Sequence, residues 1–177
     1  ETEGVTLTWE GHFIDPLFTH TTTGFTRPGD EEHPYLASVS CVHDPEEEGF
    51  VQEMIMQPEE AAKRVSAIPA GDGSFRTIPP EAFPEQVQII SRDEAGYALQ
   101  LQIGGFPFNG EEVRLALGLP SACFELNRHG SDVRFTVRGR GHGWGLSQTE
   151  AQALAEDGWS AEAILEYFYT GISFSSE

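Results

Sequence analysis

Basic residues are scarce: 10 Lys and Arg stand against 29 Asp and Glu, a formal net charge of −19. Nucleic acid needs clustered cations to neutralise its phosphates, so no nucleic-acid partner is expected. The same deficit disfavours an anionic membrane surface. No apolar run approaches the roughly 18 residues of a membrane span, so no membrane contact is expected of these residues. The acidity reads as solubility; it is compatible with a neutral or carbohydrate partner without indicating one. Cysteine is also scarce. Cys41 and Cys123 do not make a disulfide framework, and free buried thiols are expected. Internal repeats, low-complexity tracts and a signal-peptide pattern are lacking. The first residue is Glu1 rather than Met, and strand-like sequence follows within a few residues. We therefore expect a processed or excised piece of something longer. What is present is 38% hydrophobic and 11% aromatic residues over a chain of 177, enough for the core of one ordinary globular domain spanning residues 1–177.

Periodicity supplies the elements. Val5, Leu7 and Trp9 alternate with Thr6, Thr8 and Glu10, and Thr6–Trp9 with Phe13–Thr19 reads as a hairpin turning at Gly11. His20–Gly29 is polar and bounded by Gly and Pro, a loop leaving a strand end, where binding groups often sit. Pro34-Tyr35-Leu36 and Val39 form a short buried stretch, and Asp44–Gly49 reads as solvated. Pro58–Val65 is a helix with Pro in its first turn and bases in its last. Residues 67–84 have no period and read as an irregular connection, the least ordered part. Strands follow at Val87–Arg92 and Tyr97–Ile103, the second alternating Tyr97, Leu99, Leu101 and Ile103 against Ala98, Gln100 and Gln102. Asn109 with Glu112 has capping-box spacing ahead of a helix carrying Val113, Leu115 and Leu117. Ala122–Asn127 and Asp132–Arg138 form another hairpin. Ser147 with Glu150, and then Ser160, cap two consecutive helices, the second with Ile164, Leu165 and Phe168 on one stripe. The fold class is α+β: a strand-rich single domain with β-hairpins and two consecutive C-terminal helices.

The segment with chemical interest is GRGHGWGLSQ, Gly139–Gln148. Its alternating glycines are costly in an ordered chain and make sense where a second backbone or a ligand must come close. It runs into a helix start, where free N–H groups point outward. A phosphate loop would want Lys before the Ser, whereas Leu146 precedes Ser147; a purely structural glycine corner fits equally well. No nucleophile-elbow spacing exists. Cys41-Val42-His43 alternates too tightly for a zinc knuckle, so no metal is expected there. Glycoside hydrolysis usually needs two carboxylates, and the sequence singles out no pair.

Residues 139–174, GRGHGWGLSQTEAQALAEDGWSAEAILEYFYTGISF, resemble the closing segment of the stage II sporulation protein D family, which also includes the amidase enhancer LytB. The family pattern is G-x-G-H-x-x-G-M-S-Q, a helix, a Gly-Tyr/Trp-Ser turn, and a helix ending in Tyr-Tyr-x-Gly. Gly139, Gly141, His142, Gly145, Ser147, Gln148, Gly158, Ile164, Leu165, Tyr169 and Gly171 match it. IGGFPFNGEEVRLALGLPSACFEL (103–126), LTWEGHFIDPLFTHTTTGFT (7–26) and PYLASV (34–39) resemble further family segments, in the right order.

The resemblance implies lytic transglycosylation of peptidoglycan: the bond between N-acetylmuramic acid and N-acetylglucosamine is broken without water. One carboxylic acid protonates the leaving oxygen while the sugar's own 6-hydroxyl closes on C1, so a single acid suffices. It puts that acid, a glutamate, in a helix upstream of the LTW strand; no such helix occurs in these residues, so no catalytic residue is expected within them. Some relatives carry a Cys/His zinc motif in that upstream part, and no cofactor is expected here. The residues left to assign border the groove: His142, Gly143, Ser147 and Gln148 on one side, Thr21, Thr22 and Gly24 on the other. Implied partners are peptidoglycan glycan strands and a cell-wall amidase; the implied location is extracytoplasmic, in the wall or anchored through an N-terminal segment. Departures stand at Leu146, where the family has Met, and at Thr149 and Glu150, where an aromatic and a glycine are common. The loop has one glycine where two are usual, and His20 is either a shifted equivalent of a family loop histidine or a surface residue, the second being preferred. These departures keep a non-catalytic wall-binding or amidase-enhancing module open as the alternative.

Overall fold

The computed structural model describes residues 5–176. In chain order they form β1 (Val5–Trp9), β2 (His12–Phe13), β3 (Phe18–Thr19), β4 (Val51–Met56), α1 (Pro58–Ser66), β5 (Val87–Arg92), β6 (Ala98–Ile103) and β7 (Phe106–Asn109). Then come α2 (Gly110–Leu117), β8 (Phe124–His129), β9 (Asp132–Arg138), β10 (Leu146–Ser147), α3 (Gln148–Glu156), α4 (Ala161–Phe168) and β11 (Ile172–Ser176). This is the expected strand-rich α+β class, with two consecutive helices near the C-terminus. The chain divides into two compact units. Residues 49–142 form one; the segments before and after them together form the other.

The 49–142 unit carries two antiparallel sheets, ordered β4-β9-β8 and β5-β6-β7. Alternation in β9 buries Val133, Phe135 and Val137 and leaves Arg134 and Thr136 half-covered. These pack with Ala61 and Val65 of α1, Val113 and Leu117 of α2, and Leu101 and Ile103 of β6. Pro58 opens α1, Glu59 and Glu60 follow in its first turn, and Lys63 and Arg64 close it, each end complementing the helix dipole. Three expectations need correction. Residues 67–84 are irregular, as expected, apart from a 3-10 turn at Pro80–Ala82, but they are not the loose part of the chain: Ile68, Ile78, Ala82 and Phe83 are core residues. In β6, Ala98 is buried and Leu99 exposed, because register shifts between Ile89 and Ser91 and between Ser91 and Arg92 break the period of two. In α2, Leu115 is exposed: positions 113 and 117 share a helix face, and 115 points elsewhere.

In the other unit β1 pairs antiparallel with β11, from Val5↔Ser176 to Trp9↔Ile172. The expected hairpin survives only as Thr8↔Phe13 and Trp9↔His12. The run Phe13–Thr19 is not one strand. Pro16, which cannot donate to a ladder, falls within it, and Phe18 and Thr19 instead pair in parallel with Leu146 and Ser147. Tyr35, Leu36, Cys41, Leu154, Ile164, Phe168 and Tyr169 form this unit's core. The short buried stretch at Tyr35-Leu36 and the stripe Ile164/Phe168 are as expected. Ser160 Oγ caps α4 by accepting from Ala163 N at 3.2 Å.

Candidate functional site

Glycines 139, 141, 143 and 145 all take positive φ, between 71° and 110°, a region only glycine enters without strain. Gly139 and Gly141 belong to the 49–142 unit, where their N–H groups donate to Phe50 O and Pro120 O, both at 2.9 Å. His142, half-buried, is that unit's last residue. Gly143 is buried in the other unit; its N–H donates to Thr19 Oγ1 at 3.2 Å and its carbonyl accepts from Arg27 N at 2.8 Å. At Gly145 a Cβ would collide with the Leu17 carbonyl. Of the two uses for such glycines, close approach of a second backbone is the one realised there. Trp144 lies under the Arg27 guanidinium, 3.7 Å from carbon to ring centroid, and its indole N–H donates to Pro28 O at 3.1 Å.

Beyond Gly145 the ribbon pairs with β3 and delivers Ser147 as the N-cap of α3. Ser147 Oγ accepts from Glu150 N at 3.3 Å and lies 2.8 and 2.9 Å from the two oxygens of Asp44, to which its hydroxyl donates. Asp44 Oδ2 also accepts from the N–H and the hydroxyl of Thr22, both at 2.6 Å. Asp44 was expected to be solvated and is wholly buried. Its carboxylate is tolerable there because hydroxyl and amide donors converge on it. The start of α3 beside it adds a favourable dipole. Thr22 Oγ1 in turn accepts from Gly24 N at 3.1 Å, and Gly24 O accepts from Cys41 N at 2.8 Å. Thr21 Oγ1 is 3.0 Å from Thr149 Oγ1, and the Thr149 N–H and hydroxyl both donate to His20 O, at 3.1 and 3.2 Å.

Glu150 completes only half of the capping box. Its carboxylate is 97% buried and turns to His43, accepting from the backbone N–H at 2.8 Å and from Nδ1 at 3.1 Å. This hydrogen bond raises the His43 pKa above its ordinary 6.5 against the opposing effect of desolvation; the charges of Glu150, Asp157 and Glu46 add to the rise. Burial pushes the Cys41 thiol up to about 12, reinforced by the charge of Asp44, so Cys41 is no nucleophile at neutral pH. Both cysteines are free and buried.

Above these contacts opens a cavity of about 440 Å³ lined by His20, His43, Thr149, Gln148, Gln152 and the carboxylates Glu46, Glu47 and Glu156. Of the residues singled out from the sequence, Gln148 lines this cavity. Thr21, Thr22 and Ser147 are 3%, 0% and 0% exposed and brace its wall from behind. Gly143 and Gly24 belong to the same unit but not to the lining. His20, read as a surface residue, is half-buried and lines the cavity. Sequence reasoning missed Asp44, His43 and Glu150 as site residues. The capping spacing of Ser147 and Glu150 was visible, but their partners lie 103 and 107 residues away.

Fold and site together define an α+β protein whose Gly-rich ribbon feeds a capped helix under an open polar cavity. No family model matches the chain. Compared with curated proteins, it is 29% identical over 178 residues to stage II sporulation protein D of Bacillus amyloliquefaciens, covering 98% of this chain and 48% of that protein. The likeness to stage II sporulation protein D of Bacillus subtilis (strain 168) has the same identity and covers 49% of that protein. The chain thus spans about half the length of the curated relatives it matches. Among the described residues no helix is long and apolar enough to cross a membrane.

Proposed function

We propose that this chain forms a glycan-binding wall of an extracytoplasmic, peptidoglycan-remodelling protein that works by lytic transglycosylation during sporulation, at the septum or in engulfment. The likeness to sporulation proteins along 98% of the chain carries the reading. The open cavity beside Gln148 supports it: amides, hydroxyls and carboxylates match the hydroxyls of a sugar better than any apolar ligand. In this reading Gln148 and the groups around it orient the glycan. A carboxylic acid of the longer protein protonates the leaving oxygen, and the 6-hydroxyl of the muramic residue closes on C1.

The test is to incubate the longer protein with glycan strands stripped of peptides and to look for anhydro-muramic ends by mass spectrometry. Their appearance is the expected result, and their absence beside an active control retires the enzymatic reading. Binding without cleavage would assign the non-catalytic, amidase-enhancing role instead. The 177-residue chain by itself is expected to bind glycan and not to cleave it, because the acid implied by the resemblance has no matching segment in it.

A further inference from the structure

We propose that His43, tethered by Glu150, is the cavity's proton-dependent hydrogen-bond donor, and that it recognises an acceptor-only oxygen, the acetamido carbonyl of an N-acetylated sugar. The inference rests on the glycan reading above and names the group that reads the sugar. Glu150 is held by α3 with its carboxylate buried, and it takes both the main-chain N–H and Nδ1 of His43. An ionised carboxylate can only accept; with Oε2 taken by the main-chain N–H and Oε1 lying at Nδ1, the neutral ring keeps its proton on Nδ1. The ring also lines the cavity, which leaves Nε2 as the atom offered to a ligand. Protonated, Nε2–H donates; neutral, Nε2 can only accept.

The rest of the lining makes that donor matter. Glu46, Glu47 and Glu156 offer acceptors only. Gln152 Nε2 already donates to Glu156 at 2.9 Å, and the Thr149 hydroxyl to His20 O. Sugar hydroxyls and amide N–H groups find acceptors easily, whereas a carbonyl oxygen must find one of few donors: the Gln148 amide, the second N–H of Gln152, or a ring nitrogen of His20 or His43. The three carboxylates repel the lactyl carboxylate of a muramic residue, so the sugar in this cavity is the uncharged N-acetylglucosamine of the strand. The charged groups acting on His43 are Glu150 and Asp157 at the start and end of α3, and Glu46 on its own turn. Glu47, Glu156 and His20 line the same cavity. All but His20 are acids, and they favour the imidazolium.

The probe is tri-N-acetylchitotriose, titrated into the 177-residue chain between about pH 5.5 and about pH 9. His43 ring protonation is followed in the same samples by nitrogen chemical shifts. Affinity should fall about tenfold as His43 loses its proton. Glu150→Gln gives a sign that mere loosening would not. The His43 main-chain N–H claims the carboxamide oxygen, the NH₂ faces Nδ1, and the neutral proton moves to Nε2. The variant should show the Nε2–H tautomer, with affinity at high pH retained and the pH dependence flattened. A wild-type affinity that stays level while His43 titrates overturns the inference and spares the glycan reading. An unchanged pH slope in a Glu150→Gln protein whose tautomer has switched overturns it as well. No binding of the trimer at any pH overturns this inference, and only a parallel failure to bind glycan strands stripped of peptides sinks the glycan reading with it.

Discussion

Asp44 shows how a single residue can be invisible in sequence and central in structure. Within DPEEEG it reads as one acid among several. In the fold it is the acceptor for Thr22 N, Thr22 Oγ1 and Ser147 Oγ, tying the hydroxyl loop, its own 3-10 turn and the start of α3 together. Asp44→Ala would leave both Thr22 donors buried without this acceptor and Ser147 Oγ with only the His20 carbonyl at 3.4 Å, and unsatisfied buried groups cost about 1–3 kcal/mol each. We expect a loss of about 3 kcal/mol after partial relaxation, read as a shift in the urea midpoint at unchanged slope. A loss under about 0.5 kcal/mol, the range of an ordinary surface change, would show that the knot does not hold the unit together. Gly145 makes the opposite case. Its glycine was legible as a place of close approach, but the approaching atoms, the Leu17 carbonyl, come from a segment more than a hundred residues earlier that no local pattern could identify.

At the scale of elements, what was legible is what is specified locally. The α2 cap follows from four adjacent letters: Asn109 Oδ1 accepts from Glu111 N at 2.8 Å and from Glu112 N at 3.4 Å, and Gly118 ends the helix at φ 70°. Asn109→Ala should cost about 1 kcal/mol, whereas Asn109→Asp, which keeps the accepting oxygen beside the helix dipole, should cost almost nothing. Thermal melts of the two variants check this, and equal losses would point to the strand position of Asn109 rather than its cap. The elements that escaped prediction owe their existence to distant partners. β11 is five residues of ISFSS, unremarkable alone and a strand because β1 lies beside it. β10 has two residues and is a strand because it pairs in parallel with β3, whose residues read as strand but with a different partner. The shifts of register in β5 and β6 turn Leu99 outward although the letters alternate without fault.

For the molecule as a whole, the division into two units is chemical as well as geometric. One core draws only on residues between Met54 and Val137, and the other only on residues up to Cys41 and from Trp144 onward. The second unit exists only when β1 meets β11, with Val5 opposite Ser176. Closing so long a loop costs entropy that the intervening 49–142 unit does not pay, because its own pairings are hairpins and near neighbours. A polypeptide of residues 49–142 should therefore fold by itself. It keeps both three-stranded sheets, both helices and the whole of its core, on a chain long enough for an independent domain. Far-UV circular dichroism should show native-like secondary structure, with a single cooperative melt. A non-cooperative melt would mean that the core borrows stability from outside residues 49–142. The opposite excision, joining residue 48 to residue 143, should keep β1–β11 and β3–β10 only if a short linker can replace the folded insert as the loop that brings these strands together.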